Sequence, residues 1–180
     1  MVRKFSQTEM NLVGASLEAL NTIDDILEGS TARRTEAKAS PSALYAYATD
    51  PNYTPSENLL RLLTNDADTR SNFQLLLKNT SAFVLPQVAA ASTGEITTRE
   101  IEGCKIDFRS SHADTGQLYV IIEITHRERM PGMLFIRQPD GETHRITLPN
   151  FQDNRAQLLL ERNSAEARGL MDINTEVYLR

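Results

Sequence analysis

Near residue 95 the spacing of large apolar residues changes, and this limits the folds open to the chain. Before that point they recur three and four apart, the period of a helix with one buried stripe. After it they alternate with polar residues, the period of a half-buried strand. In "CKIDFR", Ile106 and Phe108 alternate with Lys105, Asp107 and Arg109. "QLYVIIEIT" follows the polar turn "SSHADTG". "GMLFIRQ" leads into Pro139-Asp140-Gly141, where Pro presets φ and Gly supplies a positive φ. "ETHRITL" returns from that turn, so residues 133–148 are expected to form a hairpin. "RAQLLLER" and "TEVYLR" read as two further strands. No helical segment among them is long enough for parallel crossovers, so the pattern predicts an antiparallel sandwich or open barrel of about six to seven strands. "YVIIEI" is expected to be its central strand, covered on both faces, with Glu123 near an edge or reaching a basic partner.

The first half divides further. Over residues 6–28, Ser6 and Glu9 have the spacing of a capping box, and Val13, Leu17, Leu20, Ile23 and Leu27 form one stripe. Gly29 is placed to end that helix. The following "GSTARRTEAKASPS" has no large apolar residue and reads as a linker, in which Arg33 and Arg34 are expected to be protease-sensitive. Residues 42–92 are expected to be helical: "SALYAYAT" stopped by Asp50-Pro51, a helix starting at Pro55, and a longer one through Phe73, Leu77 and Phe83 that Pro86 breaks or kinks. The fold class is therefore α+β, an N-terminal amphipathic helix and small helical bundle followed by the β domain. The expected divisions are an arm (1–28), a linker (29–41), a helical region (42–92) and a β domain (93–180). This order is found in many bacterial regulatory and accessory proteins, which is a likeness of architecture only.

Composition excludes several classes. A formal net charge of −5 argues against a nucleic-acid binder, which needs a basic field to displace counterions. No window approaches the roughly 18 apolar residues that span a bilayer, and Gln7, Thr8, Glu9 and Asn11 interrupt any secretory signal. Cys104 is the only cysteine, so no internal disulfide forms, and a reducing cytoplasm is the expected compartment.

The chemistry-bearing residues do not converge on a known motif. Cys104, His112, His126 and His144, with Asp107 and Asp114, are types that zinc accepts, but no pair has ligand spacing. Ser110, Ser111, His112 and Asp114 contain a triad's residue types within one turn, whereas a triad converges from different elements. They read as a polar turn closed by Ser and Asp side chains. Cys104 lacks an adjacent base and reads as a buried structural residue. No phosphate loop is present. Neither catalytic residue, metal nor cofactor is expected.

Arginine usage points elsewhere. The chain has 15 Arg against four Lys, and "THRERMPGM" sets Arg127 and Arg129 beside Met130 and Met133. Arg and Met are favoured at adaptable protein interfaces. The leading expectation is a non-enzymatic accessory or regulatory protein acting through protein contacts with a partner or with itself. Its contact surfaces are the helix stripe and this hairpin end. A small-molecule-binding β domain is the second expectation, and a His-dependent metal enzyme or hydrolase the third.

Overall fold

The computed structural model describes residues 38–88, 96–125 and 130–180. The expected arm, with Val13, Leu17, Leu20, Ile23 and Leu27, lies outside the described residues, as do most of the expected linker, Arg33, Arg34, His126, Arg127 and Arg129. Residues Ala39–Arg180 form one compact unit. In chain order it contains α1 (Pro41–Thr49), α2 (Glu57–Asn65), α3 (Ala67–Thr80), β1 (Phe83–Leu85), β2 (Thr98–Ile101), β3 (Cys104–Ser110), β4 (Gln117–Ile124), β5 (Met133–Arg137), β6 (Thr143–Thr147), β7 (Arg155–Glu161), α4 (Ala165–Met171) and β8 (Glu176–Leu179).

The helices start where local chemistry satisfies their free N–H groups. Pro41 opens α1, and the helix stops before Pro51, whose ring disfavours a helical residue ahead of it. The Ser56 side chain accepts from the Leu59 N–H at 3.2 Å and opens α2, so Pro55 precedes the cap instead of starting the helix. Asp66 ends α2 and caps α3, accepting from the Thr69 N–H at 2.9 Å. The expectation of helix through Phe83 is corrected: α3 ends at Thr80, and Phe83–Leu85 is a strand paired antiparallel with β8. A strand lets Phe83 and Leu85 enter one core while Val84 faces another, a two-sided display that helical spacing does not give.

The strands form two antiparallel four-stranded sheets, ordered β1-β8-β5-β6 and β2-β3-β4-β7. The α+β expectation holds in its sandwich form, with two separate four-stranded sheets in place of the open barrel that was the other expectation. The expected 133–148 hairpin is β5 and β6, with Met133 opposite Thr147 and Arg137 opposite Thr143. Its turn places Gly141 at φ +93°, as the Pro-Asp-Gly signal requires.

Two cores result. Between the sheets lie Leu118, Val120, Ile122 and Ile124 of β4, Ile106 and Phe108 of β3, Leu134 and Ile136 of β5, and Val177 and Leu179 of β8. On the far side of the first sheet, α1–α3 pack Leu44, Tyr47, Leu59, Phe73 and Leu77 onto Met133, Phe135 and Tyr178. Tyr47, Phe73 and Phe135 form a ring cluster with centroids 5.5–6.0 Å apart. The order is therefore helices, first sheet, second sheet.

This order corrects the expectation for "YVIIEI". β4 is central in its sheet, between β3 and β7, yet it is covered on one face only. Tyr119, Ile121 and Glu123 point outward and are partly exposed. The strand buried on both faces is β5, because it alone among the long apolar runs lies between helices and a second sheet. The short helix α4 was not anticipated. Ser164 caps it through the Ala167 N–H at 3.1 Å, and Gly169 lets it approach β5 so closely that a Cβ would lie 2.8 Å from Ile136 Cγ2.

Candidate functional site

Strand β3 and the turn after it carry most of the residue types that could do chemistry, and Cys104, Asp107, Ser110, Ser111 and Asp114 are already engaged. Cys104 is 3 % exposed at the first position of β3, facing the inter-sheet core. Burial pushes its thiol up to about 12, so it stays neutral at ordinary pH and makes a poor nucleophile. The neighbouring Lys105 points to the other face and pairs with Asp107 at 3.0 Å. Burial alone would raise Asp107, but hydrogen bonds from Lys105 and Thr98 outweigh it and hold the carboxyl below its usual range. The expected polar turn is present: Ser111 Oγ accepts from the Asp114 N–H at 3.3 Å, and Asp114 Oδ1 accepts from the Gly116 N–H at 2.9 Å. Ser110 Oγ accepts from Arg162 at 2.7 Å.

His112 is exposed on that turn. His144 lies on β6 in the other sheet, with Nε2 3.0 Å from Gln138 Nε2 and 3.5 Å from Glu142 Oε1. Among the described residues, no group of three or more His, Cys, Asp or Glu side chains stands close enough to hold a metal ion. No described helix is long and apolar enough to cross a membrane.

The expected Arg/Met contact divides. Met130 is 37 % exposed, whereas Met133 is 3 % exposed and belongs to the core under the helices. Met133 is therefore corrected from a surface contact to a core residue, because it begins β5 on the face that α1–α3 cover. Both border an open groove of about 630 Å³, together with Thr49, Pro51, Ser81 and Gly132. Among the described residues, Ser81 Oγ is buried there without a hydrogen-bond partner, and the space in front of Gly132 is open. A second, more polar cleft of about 860 Å³ lies between the end of β4 and the loop before β7, lined by Thr125, Asn150, Gln152, Asp153, Arg155 and Gln157.

The outward face of the second sheet is a surface of mixed character. Cross-strand rows read Lys105–Glu123–Arg155, Asp107–Ile121–Gln157 and Arg109–Tyr119–Leu159. Leu159 is 50 % exposed. Glu123 does reach a basic partner, Arg155, in an exposed ion pair.

Three polar anchors, one buried and two partly buried, were not foreseen. Arg99 is 2 % exposed and donates to the carbonyls of Leu170 at 2.8 Å and Thr175 at 3.0 Å, and also to those of Pro86 and Asp172. Burial lowers its pKa to about 10, opposed by the Asp172 charge, so it remains a cation at neutral pH. Arg145 donates to the carbonyls of Tyr53 at 2.8 Å and Tyr47 at 3.2 Å, with its guanidinium 4.6 Å from the centre of the Tyr47 ring. Glu176 accepts from Tyr178 at 2.6 Å and Gln74 at 2.8 Å, and pairs with Lys78 and Arg137. The available signal was positional: Arg99 shares the inward face of β2 with Ile101, where an apolar residue is usual.

Compared with protein-family models, curated proteins and solved structures, the chain matches none.

Proposed function

We propose that the protein is a non-enzymatic accessory or regulatory protein that acts through protein–protein contacts. One observation carries the reading. Cys104, Asp107, Ser110, Ser111 and Asp114 on β3 and its turn are held by burial or by structural hydrogen bonds, while the Met130 groove and the outward face of the second sheet are left uncovered by the described residues. Met130 at the groove rim keeps the Arg/Met-rich segment as a contact, now with Met130 outermost and Met133 beneath it. The stripe of Val13, Leu17, Leu20, Ile23 and Leu27 is the second proposed contact, on the strength of its spacing alone.

The test uses the full chain as bait in host lysate, beside Leu20→Glu and Met130→Glu. A stoichiometric partner retained by the wild type and lost with either variant supports the reading. Equal retention by all three, or no partner at all, counts against it. The polar cleft at Asn150 and Gln157 favours one alternative, a small-molecule ligand. A melting temperature that rises with a metabolite, and does not in Asn150→Ala, would put that reading ahead.

A further inference from the structure

Strand β7 is an edge of the second sheet, since β4 is its one strand partner among the described residues. Its pairing register fixes which backbone groups are used. The Ile124 N–H donates to the Asn154 carbonyl at 2.9 Å, and the Arg162 N–H donates to the Gly116 carbonyl at 2.8 Å. In an antiparallel ladder, hydrogen-bonded pairs alternate. Ala156, Leu158 and Leu160 therefore turn their N–H and C=O groups towards β4, and Gln157, Leu159 and Glu161 turn theirs away. At one end, Arg155 already exchanges both backbone bonds with Gln152 across the Asp153-Asn154 turn. At the other, the Glu161 carbonyl accepts from Ser164 at 3.0 Å. Gln157 and Leu159 have neither backbone group paired among the described residues, on a strand with no Pro, no Lys and no internal bulge, whose two charged residues stand at its ends.

We propose that this edge joins a second copy of the chain, β7 to β7, antiparallel about a two-fold axis through Leu159, so that the two second sheets become one. The register follows from what is free. Outward-turned groups must meet outward-turned groups, and the Glu161 carbonyl that accepts from Ser164 keeps a second lone pair, so Leu159 faces the other Leu159 and Gln157 faces the other Glu161. A register placing Glu161 opposite Arg155 is excluded, because Gln152 occupies the Arg155 backbone.

The side chains then match. Two exposed leucines meet on the axis. Each Gln157 amide faces a Glu161 carboxylate. Each Arg155, already beside Glu123, lies diagonal to the other copy's Glu161, within reach of a long side chain. On the inner face, Leu158 meets the other Leu160 twice. These two residues pack on the inter-sheet core yet stay only partly buried, so the core is open at β7 and a second copy would close it. No like charges are placed opposite one another.

This inference rests on the protein-contact reading and names one partner for it. The test is oxidation of full-length Leu159→Cys beside Gln157→Cys. Paired residues in a hydrogen-bonded antiparallel position have Cα atoms about 5.5 Å apart, within disulfide range. Two Gln157 residues would be four positions out of register, about 13 Å apart. The native Cys104 is buried and does not compete. The proposal expects Leu159→Cys to link into disulfide dimers at least about tenfold more than Gln157→Cys, given that geometry. It also expects the untagged wild type to sediment as two chains at high micromolar concentration. Leu159→Pro should sediment as one chain with an unchanged circular dichroism spectrum, since its lost N–H makes no bond among the described residues of the monomer. Equal linking of both cysteine variants, linking of neither, or a wild type of single-chain mass overturns it. A monomer that still captures a partner through Met130 would overturn this proposal while leaving the protein-contact reading standing.

Discussion

Strands β4 and β5 are the two most apolar runs of the β half, and they end in different surroundings. β4 is longer and carries Leu118, Tyr119, Val120, Ile121, Ile122 and Ile124, yet every second residue faces outward. β5 has five residues, of which Met133, Leu134, Phe135 and Ile136 are all buried. Local hydrophobicity does not separate them. Position in the layer order does, since three helices cover the sheet that holds β5 and no described element covers the outer face of the sheet that holds β4. Burial on both faces is thus a property of the layers a strand lies between.

The sharpest way to break this comparison is to truncate one side chain from each strand. Phe135→Ala removes a ring that touches Tyr47 and Phe73, and is expected to lower unfolding free energy by about 3–5 kcal/mol in urea titration. Ile121→Ala, on the open face, is expected to lower it by less than about 1 kcal/mol. Equal effects would mean that the outer face of β4 is covered.

A somewhat smaller loss is expected at Arg99. Arg99→Met keeps volume but leaves the carbonyls of Leu170, Thr175 and Asp172 without their donor, at a cost of about 2–4 kcal/mol measured in the same way. Arg99→Met matching wild type would mean that those carbonyls find other donors and that the arginine is not an anchor.

Acid sensitivity should also separate the sheets. Burial would raise Glu176, but the Tyr178 hydrogen bond, the Lys78 charge and the Gln74 and Arg137 contacts outweigh it and depress its folded pKa. A depressed carboxyl pKa contributes stability that is present above its unfolded value of 4.5 and is lost as pH falls through the lower folded value. Wild type is therefore expected to lose stability below about pH 4.5 more steeply than Glu176→Gln, whose curve lacks this component. Parallel curves would show that the helix-to-sheet polar cluster carries no linked proton.

The smallest expected signal concerns Cys104, which lies in the core that the two sheets share. Its thiol, pushed up to about 12 by burial, is expected to react with iodoacetamide at pH 8 only as the chain unfolds. Rapid native-state alkylation would reopen the nucleophile reading.

Much of the architecture was legible in the sequence because it rests on local signals. The change of period separated helices from strands, Pro139-Asp140-Gly141 marked the β5–β6 turn, and Asp50-Pro51 ended α1. What escaped depends on distant partners. Phe83–Leu85 reads as the tail of a helix until β8, almost a hundred residues later, pairs with it. Met133 looked like a surface residue because its sequence neighbours are charged, and only the helices above β5 bury it. Arg99 and Arg145 carry no local signal of burial, yet both direct their hydrogen bonds to backbone carbonyls inside the fold. α4 is too short for a full apolar repeat to announce it. For the candidate site, the sequence anticipated the burial of Cys104 and the turn closed by Ser111 and Asp114, while the Met130 segment stays a proposal. It did not indicate the free edge of β7, which depends on the pairing register.

The most direct test of the layered account is the urea midpoint of Ile121→Lys against that of Phe135→Lys in the full chain. The account predicts that Ile121→Lys, opposite Asp107, folds with a midpoint near wild type while Phe135→Lys does not fold, because one ammonium group stays in water and the other is driven between helices and sheet. An Ile121→Lys chain that also fails to fold would contradict it.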